Sequence, residues 1–292
     1  MQRTKNKPFK KADAILTADW HLREDTPVCR TDDFMEAMKT KLLHIRLLQR
    51  KHDCPVIHAG DLFDFWKASP SLLTFAIENL PNRFYTIYGN HDLPQHNYEM
   101  RWKSGVYTLE RAGALTVLDH VHWGMEPHEN IQYVTGLNIL VWHCMTWQGV
   151  LPYPGCTDLR AAAILRQYPK YDLILTGHNH KAFVEEHKGR LLVNPGSIFR
   201  STASQEDFKP RVYLYYADTN TVEPYYLPIE EGVISRQHIE QKEQRDSRIE
   251  AFINTLDTDW EVEMSFEQNV EIFCKRNQVE KPVLAILDKV ME

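Results

Sequence analysis

The sequence predicts an α/β fold, built as a two-sheet α/β sandwich with a small helical appendage at the C-terminal end. Three observations support this prediction. Apolar strands alternate with helical segments over the first 92 residues, four more strands follow with little helix between them, and only helical patterns remain after about residue 235. The chain has 292 residues, of which 43% are hydrophobic and 25% charged. That composition is ordinary for a globular protein with one large core and an appendage.

The first part of the chain reads β-α-β-α-β, with strands predicted over 14–21, 54–64 and 83–92. A helix over 34–52 is predicted by apolar residues at helical spacing. A second helix, over 69–81, is predicted because Ser69 is a suitable N-cap, Pro70 suits the first turn and Pro81 closes the segment. This alternation predicts a parallel sheet with right-handed crossovers.

The second part of the chain predicts a mixed or antiparallel second sheet. Its strands are expected over 138–143, 171–180, 190–197 and 211–218, with one helix over 158–169. Helices are then expected over 235–256, 265–277 and 281–292. We therefore predict a basic N-terminal arm (1–12), a main domain (13–232) and a helical C-terminal segment (233–292).

Charge and cysteine content limit the binding partners and the cellular compartment that the sequence predicts. The net charge is −6, and residues 236–292 carry eight lysines and arginines against thirteen acidic residues. The main domain is therefore close to neutral and does not repel a polyanion, but it has no broad basic stripe typical of an autonomous DNA binder. Five widely spaced cysteines without a C-x-x-C pair, no signal-like segment and no long apolar run predict a cytoplasmic protein without membrane contact.

Polar residues that bind metals or move protons follow five of the predicted strands. In open α/β sheets, ligands bind at the carboxyl ends of the strands, so these residues are expected to form one cluster. They are Asp19 and His21, Asp61 and Asp64, Asn90 with His91 and Asp92, His143, and His178 with His180.

Imidazole, carboxylate and amide ligands together suit Mn²⁺, Fe²⁺, Zn²⁺ or Co²⁺ better than Mg²⁺ or Ca²⁺. The ligands are too many for one ion, whereas two ions that share a bridging carboxylate would use them all. A pair of ions about 3.5–4 Å apart can hold a phosphoryl group and activate water at neutral pH. The sequence therefore predicts two divalent metal cofactors, with manganese as the first choice.

The order of motifs Asp-x-His, Gly-Asp-x-x-Asp, Gly-Asn-His-Asp, His and Gly-His-x-His, over residues 19–180, resembles that of the calcineurin-like metallophosphoesterases. The resemblance implies the two-sheet fold of that family, with residues 13–232 as the catalytic domain. It also implies a metal-bound hydroxide as the nucleophile. One metal would be held by Asp19, His21 and His180, the other by Asn90, His143 and His178, with Asp61 as the bridge.

The same resemblance implies roles for the two residues that follow Asn90. His91 would face the substrate phosphate, stabilise the developing charge and protonate the leaving oxygen. Asp92 would accept a hydrogen bond from His91 and orient it.

The stretch "HAGDLFD", followed by a Ser-Pro helix and "GNHD", resembles the SbcD-type DNA repair nucleases, including their phage-borne and prophage-borne relatives. This implies a DNA exonuclease or endonuclease, an SbcC-type ATPase subunit as a partner, and a homodimer. The chain has little room after residue 228 for the capping domain of the longer members, so the three C-terminal helices are either a compact docking segment for the partner or a plain appendage.

Other interpretations remain open at this stage. A generic nucleotide phosphodiesterase or a phosphoprotein phosphatase would use the same motifs. "GDLFDFW" also resembles the lipid A-precursor pyrophosphatases, although these carry Arg where this chain has His91. A non-catalytic scaffold with a relict metal site is a further alternative, which the complete set of ligand positions disfavours.

A few residues near the motifs are candidates for substrate contact. Trp20 and Trp66 are expected to stack on unpaired bases, and Arg200 is expected to contact phosphate. His58 is expected to be a packed strand residue, and His96 a surface loop residue.

Overall fold

The computed structural model describes residues 10–127, 136–259 and 266–291. The chain divides into two units, Met1–Ser235 and Arg236–Glu292. The strands of the first unit are β1 (Ala14–Thr17), β2 (Val56–His58), β3 (Phe84–Thr86), β4 (Thr116–Val117), β5 (Ile139–His143), β6 (Leu173–Gly177), β7 (Phe183–His187), β8 (Arg190–Asn194), β9 (Arg211–Tyr216) and β10 (Thr221–Tyr226). Its helices are α1 (Phe34–His52), α2 (Pro70–Asn79), α3 (Gly105–Arg111) and α4 (Ala161–Gln167).

The strands form two mixed sheets, which confirms the predicted fold class, but β9, which was expected in the second sheet, pairs with β1 in the first. One sheet has the order β10-β9-β1-β2-β3-β4, in which β1 to β4 are parallel and β9 is antiparallel to both of its neighbours, β1 and β10. The other has the order β5-β6-β8-β7, with only β7 antiparallel. The strands β4, β7 and β10 were not predicted; all three are sheet edges without a buried apolar run, and β10 contains Pro224, which an edge tolerates.

The central strands are apolar on both faces because both faces are buried, as the alternating side chains of β1 show. Ala14 and Leu16 join a cluster that contains Val141 and Leu175 of the other sheet, so this cluster lies between the sheets. Ile15 belongs instead to the cluster of α1 and α2. A third cluster joins α4 to the outer face of the second sheet. The result is four layers, with helix outside each sheet.

The two first helices begin where local chemistry predicts. Asp33 caps α1 by accepting a hydrogen bond from the backbone amide of Glu36, and Ser69 caps α2 by accepting one from Leu72. Pro70 occupies the first turn of α2, as expected. These caps fix the ends of the helices that connect β1 to β2 and β2 to β3.

The second unit contains α5 (Gln237–Asp259), α6 (Phe266–Arg276) and α7 (Lys281–Met291). Val270, Phe273 and Cys274 of α6 pack with Leu284 and Leu287 of α7. Within the described parts of the chain, no helix combines the length and the apolar character needed to cross a bilayer. The predicted basic arm lies outside the described residues except for its last three positions.

Candidate metal centre

The seven predicted ligands lie where five strands end, and both sheets contribute. Asp19 and His21 follow β1, Asp61 follows β2 and Asn90 follows β3, while His143 ends β5 and His178 and His180 follow β6. The structure brings six of them into two groups whose possible ligand atoms lie within 4.8 Å of one another, namely Asp19, His21 and His180, and Asp61, His143 and His178. A third group of this kind joins His21 to Asp64 and His91.

In the first group, Nε2 of His21 lies 3.0 Å from Nε2 of His180. One carboxylate oxygen of Asp19 accepts a hydrogen bond from the backbone amide of His178 at 2.8 Å. The other oxygen, Oδ2, is buried and has no hydrogen-bond partner among the residues that the structure describes. A buried carboxylate oxygen without a donor is costly unless a cation neutralises it.

In the second group, the backbone carbonyl of Ala59 lies 2.6 Å from Nδ1 of His143. Donation from Nδ1 to this carbonyl leaves the lone pair of Nε2 free for a metal. Nε2 lies 3.1 Å from Oδ1 of Asn90, and the same amide oxygen lies 2.9 Å from Nδ1 of His178. Three potential ligand atoms therefore converge on one point.

Asp61 lies between the two groups. Its Oδ2 is 3.6 Å from Nε2 of His21 and 3.4 Å from Nε2 of His143. Its Oδ1 accepts a hydrogen bond from the backbone amide of His91 at 2.8 Å. One carboxylate oxygen is therefore within reach of both groups, which is the position that a bridging ligand requires.

The backbone at four of these positions is strained. Asp19, His21, Asp61 and His178 have φ values of 51°, 45°, 58° and 79°, in the left-handed region. Residues other than glycine adopt it at a cost of about 1–3 kcal/mol each, and such residues cluster at functional sites. The surrounding packing therefore holds these side chains in positions that the isolated loops would not prefer.

Glycines make the close approach of the loops possible. A Cβ atom on Gly89 would clash with the carboxylate and the backbone of Asp61, and one on Gly177 would clash with the carbonyl of Ala59. Gly60 has φ of 89°, and a Cβ there would lie 2.6 Å from Nδ1 of His143. These positions exclude side chains because the ligand loops pass directly over them.

The carboxylates and imidazoles of the cluster interact with one another, so their pKa values shift in both directions. Burial lowers the pKa of His143, but Asp61 outweighs that effect and raises it to about 9, so a metal ion has to displace a proton from this ring. Burial raises the pKa of the Asp61 carboxyl, but the imidazoles of His143 and His21 outweigh that effect and hold it well below its usual value. Desolvation lowers the pKa of His178 and of His180 to about 4, so both rings are neutral at pH 7. Neutral imidazole and ionised carboxylate are the forms that bind metals. Together with the orphaned oxygen of Asp19, this donor set fits two divalent cations.

His91 lies beside this cluster with its side chain exposed. Its Nδ1 is 2.7 Å from the backbone carbonyl of Asp64, and its ring meets that of His21 edge-on at 4.7 Å. The Asp64 carboxylate lies 3.0 Å from Arg23 and 3.4 Å from Nδ1 of His21, so Asp64 supports both histidines.

The predicted orienting role of Asp92 is wrong. Asp92 is fully buried, and its two oxygens accept hydrogen bonds from four backbone amides: those of Asp61, Leu62, Phe63 and Gly89. It therefore ties the loop after β2 to the turn after β3, and the carbonyl of Asp64 orients His91 instead.

Two predicted substrate contacts are also corrected. Trp20 is 0% exposed, donates from Nε1 to Thr17 and packs against Phe84, so no base can reach it. Arg200 is buried, and its terminal nitrogens donate to the carbonyls of Glu206 and Glu230 rather than facing the ligand groups. Trp66 is partly exposed, and its role stays a prediction.

The two outlying histidines lie where the sequence places them. His58 is a buried strand residue whose Nδ1 is 2.8 Å from the hydroxyl of Thr86. His96 is exposed in a loop, with Nδ1 3.1 Å from the carbonyl of Asn90.

One residue at the site was missed. The indole of Trp123 lies 4.5 Å from the ring of His178 and 6.0 Å from that of His143, measured between ring centroids. Its backbone amide donates to the carbonyl of Tyr88, which places it beside the turn after β3. Trp123 follows no predicted strand, so its aromatic side chain is the one sequence signal that could have identified it.

The ligand set makes a direct prediction about metal content. Asp61→Asn and His143→Ala are each expected to reduce the bound metal from about two ions per chain to about one or fewer. Asp61→Asn weakens the proposed bridging ligand, and His143→Ala removes a ligand of one ion. Metal analysis of the purified proteins measures this. His96→Ala is the control, since its imidazole is outside both groups, and unchanged metal content in Asp61→Asn would refute the assignment.

Comparison with known proteins agrees with this geometry. A family model described as the calcineurin-like phosphoesterase superfamily domain matches residues 15–217, which include all seven predicted ligands. Among curated proteins, none matches the chain.

Solved structures are similar to this chain at low sequence identity. A novel archaeal phosphodiesterase is 14% identical, with a TM-score of 0.41, over 73% of this chain and 99% of the other. A metallophosphoesterase from Sphaerobacter thermophilus is 13% identical, with a TM-score of 0.39, over 74% and 89%. Vps29 from Entamoeba histolytica in complex with zinc is 15% identical, with a TM-score of 0.33, over 73% and 97%.

Proposed function

The chain belongs to the calcineurin-like phosphoesterase superfamily, and we propose that it is a two-metal phosphodiesterase that cleaves DNA. The observation that carries the proposal is the exposed imidazole of His91 next to two ligand groups that are both within reach of Asp61. Hydrolysis of a phosphodiester needs activation of the phosphorus and a proton for the leaving oxygen. The ligand groups can hold the metal ions that activate the phosphorus, and His91 can supply the proton.

The chain's own residues have separate tasks. Two divalent ions, with manganese proposed as the native one, would supply Lewis-acid activation of the phosphate and of the attacking water. Asp61 positions both halves of the centre, and its Oδ1 holds the backbone of His91. Because Nδ1 of His91 is held by the Asp64 carbonyl, its Nε2 is the nitrogen available to substrate. A protonated His91 can donate from Nε2 to the leaving oxygen as a general acid.

Exposed aromatic side chains near His91 support DNA as the substrate. Phe65 and Trp66 directly follow Asp64, and Phe65 is 58% exposed. The carbonyl of Trp66 accepts a hydrogen bond from the amide of Gly105, which links this loop to the segment of Trp102, itself 61% exposed. Lys103 lies over the ring of Trp102 at 5.0 Å. Aromatic side chains beside lysines bind unpaired bases by stacking and charge.

With Mn²⁺, the purified protein is expected to degrade linear DNA. Trp102→Ala is expected to raise KM for single-stranded DNA about tenfold, because the loss of one stacked base costs about 1–3 kcal/mol. A gel assay with single- and double-stranded DNA measures both. Tyr226→Ala is the control, because Tyr226 is 53% exposed but lies on the edge strand β10. If only small diesters such as bis-p-nitrophenyl phosphate are cleaved, a generic nucleotide phosphodiesterase is the better description.

The second unit is the part of the chain that we propose for binding the predicted partners. Val283 and Ile286 of α7 are 46% and 63% exposed, so this helix presents apolar side chains outside the small cluster that it forms with α6. We propose this face for an SbcC-type ATPase subunit or for a second copy of the chain. Sedimentation of the purified protein tests the homodimer, and Ile286→Glu should abolish it.

A further inference from the structure

A second cavity lies in the first unit, along the N-terminal half of α1. Its volume is about 300 Å³. Its walls come from α1, the segment around Arg30, the segment around Arg200, and residues 228–230. None of the seven predicted metal ligands lines it, so it is distinct from the metal centre.

Three cationic side chains are buried at this cavity. Arg30, Lys41 and Arg200 are 7%, 4% and 4% exposed. Arg30 forms an ion pair with Asp32, and one of its terminal nitrogens donates to the carbonyl of Arg200. Arg200 uses its terminal nitrogens on two backbone carbonyls, but its Nε is buried without a hydrogen-bond partner among the described residues.

The ammonium group of Lys41 is the least satisfied of the three. Across the described ranges, no carboxylate or carbonyl accepts a hydrogen bond from it, and it lies over the ring of Phe199, 5.4 Å from the centroid. Burial lowers the pKa of Lys41 to about 8, with Arg30 and Arg200 adding to the effect. An ammonium has three donors, and a residue that is only 4% exposed leaves them little access to water.

The buried charges at this cavity do not balance. Three buried cations line the cavity, and the carboxylate paired with one of them, Asp32, is partly exposed, so the buried part of the lining has an excess of positive charge. Uncompensated charge in a desolvated site is strongly unfavourable unless a counter-ion enters. We propose that this cavity binds a small phosphate-class oxyanion, whose oxygens accept hydrogen bonds from Nζ of Lys41 and Nε of Arg200.

The mouth of the cavity limits the size of that anion. Asp33, Glu36 and Glu230 line it and are exposed. These carboxylates repel a long polyanion, so a DNA backbone is a poor fit, whereas a compact anion can sit below them against the cations. The ligand is therefore inorganic phosphate or the phosphate group of a mononucleotide, which share the same chemistry.

The test is calorimetric titration of the full, metal-loaded chain with inorganic phosphate and, in a second arm, with adenosine monophosphate. Phosphate bound at the metal centre contributes equally to wild type and to Lys41→Met, so the difference between them reports the cavity. We expect one binding event that weakens at least tenfold in Lys41→Met for one ligand or both. Lys39→Met is the matched control, because Lys39 lies on the same helix with its side chain 58% exposed.

A second measurement separates binding from folding. Without phosphate, Lys41→Met should melt at a higher temperature than wild type, because it replaces a buried unpaired charge by an apolar side chain of similar length. Phosphate should then raise the melting temperature of wild type and of Lys39→Met more than that of Lys41→Met. Equal titration curves for wild type and Lys41→Met, with equal melting temperatures, would overturn the proposal.

Discussion

Replacing His91 by alanine is expected to lower kcat for phosphodiester hydrolysis by about 10²–10⁴-fold while both metal ions stay bound. His91 could hold a cation only together with His21 and Asp64, and it belongs to neither of the two groups assigned to the predicted ions, so both ions should stay bound. Its Nδ1 is held by the Asp64 carbonyl, which leaves Nε2 to protonate the leaving oxygen. Steady-state kinetics with parallel metal analysis measures both quantities.

The leaving group makes this test sharper. The p-nitrophenolate ion leaves without a proton, whereas the alkoxide of a dinucleotide needs one. The loss in His91→Ala should therefore be much larger for a dinucleotide than for bis-p-nitrophenyl phosphate. His96→Ala is the matched control, because its Nδ1 also faces a backbone carbonyl near the site. Equal losses for the two substrates would remove the acid role and leave only charge stabilisation.

Replacing Asp92 by alanine is expected to lower the free energy of unfolding by at least about 3 kcal/mol and to reduce metal content. The change leaves four backbone amides without an acceptor, and each buried unsatisfied group costs about 1–3 kcal/mol. Asp61 and Gly89, two of the residues released, form the wall of the metal centre. Urea unfolding and metal analysis measure the two effects.

Asp92→Asn is the conservative control for this change. It keeps the shape but replaces one acceptor oxygen by an NH₂ group, so an intermediate loss of stability is expected. If Asp92→Ala instead kept its stability and its metal and lost only kcat, as His91→Ala should, then Asp92 would act through His91 after all.

The ligand positions could be predicted from the sequence because parallel strands end at a common edge, and Asp19, Asp61, Asn90, His143 and His178 each follow an apolar strand. The direction of individual side chains could not be predicted in the same way. Trp20 lies between two ligands in sequence, but the left-handed backbone at Asp19 and His21 directs it into the core. Neighbours in sequence therefore do not share an environment in these loops.

Contacts between residues that are far apart in the sequence were the least predictable features. The residue that orients His91 is Asp64, 27 positions away in sequence, rather than the adjacent Asp92. The cationic cavity joins Arg30, Lys41 and Arg200, of which only Arg200 stood near a motif. Each such contact depends on how separate segments pack, and local patterns carry no information about that packing.

The origin of the ligands in both sheets has a consequence for biosynthesis. His21 and His180 face each other across 159 positions of chain, so the ribosome must deliver most of the first unit before the centre can assemble. Closing a loop of that length costs about 4.5 kcal/mol in chain entropy beyond a constant. A nascent chain that ends before residue 180 has only part of the coordination sphere, so the full metal complement can bind only after that residue has been synthesised.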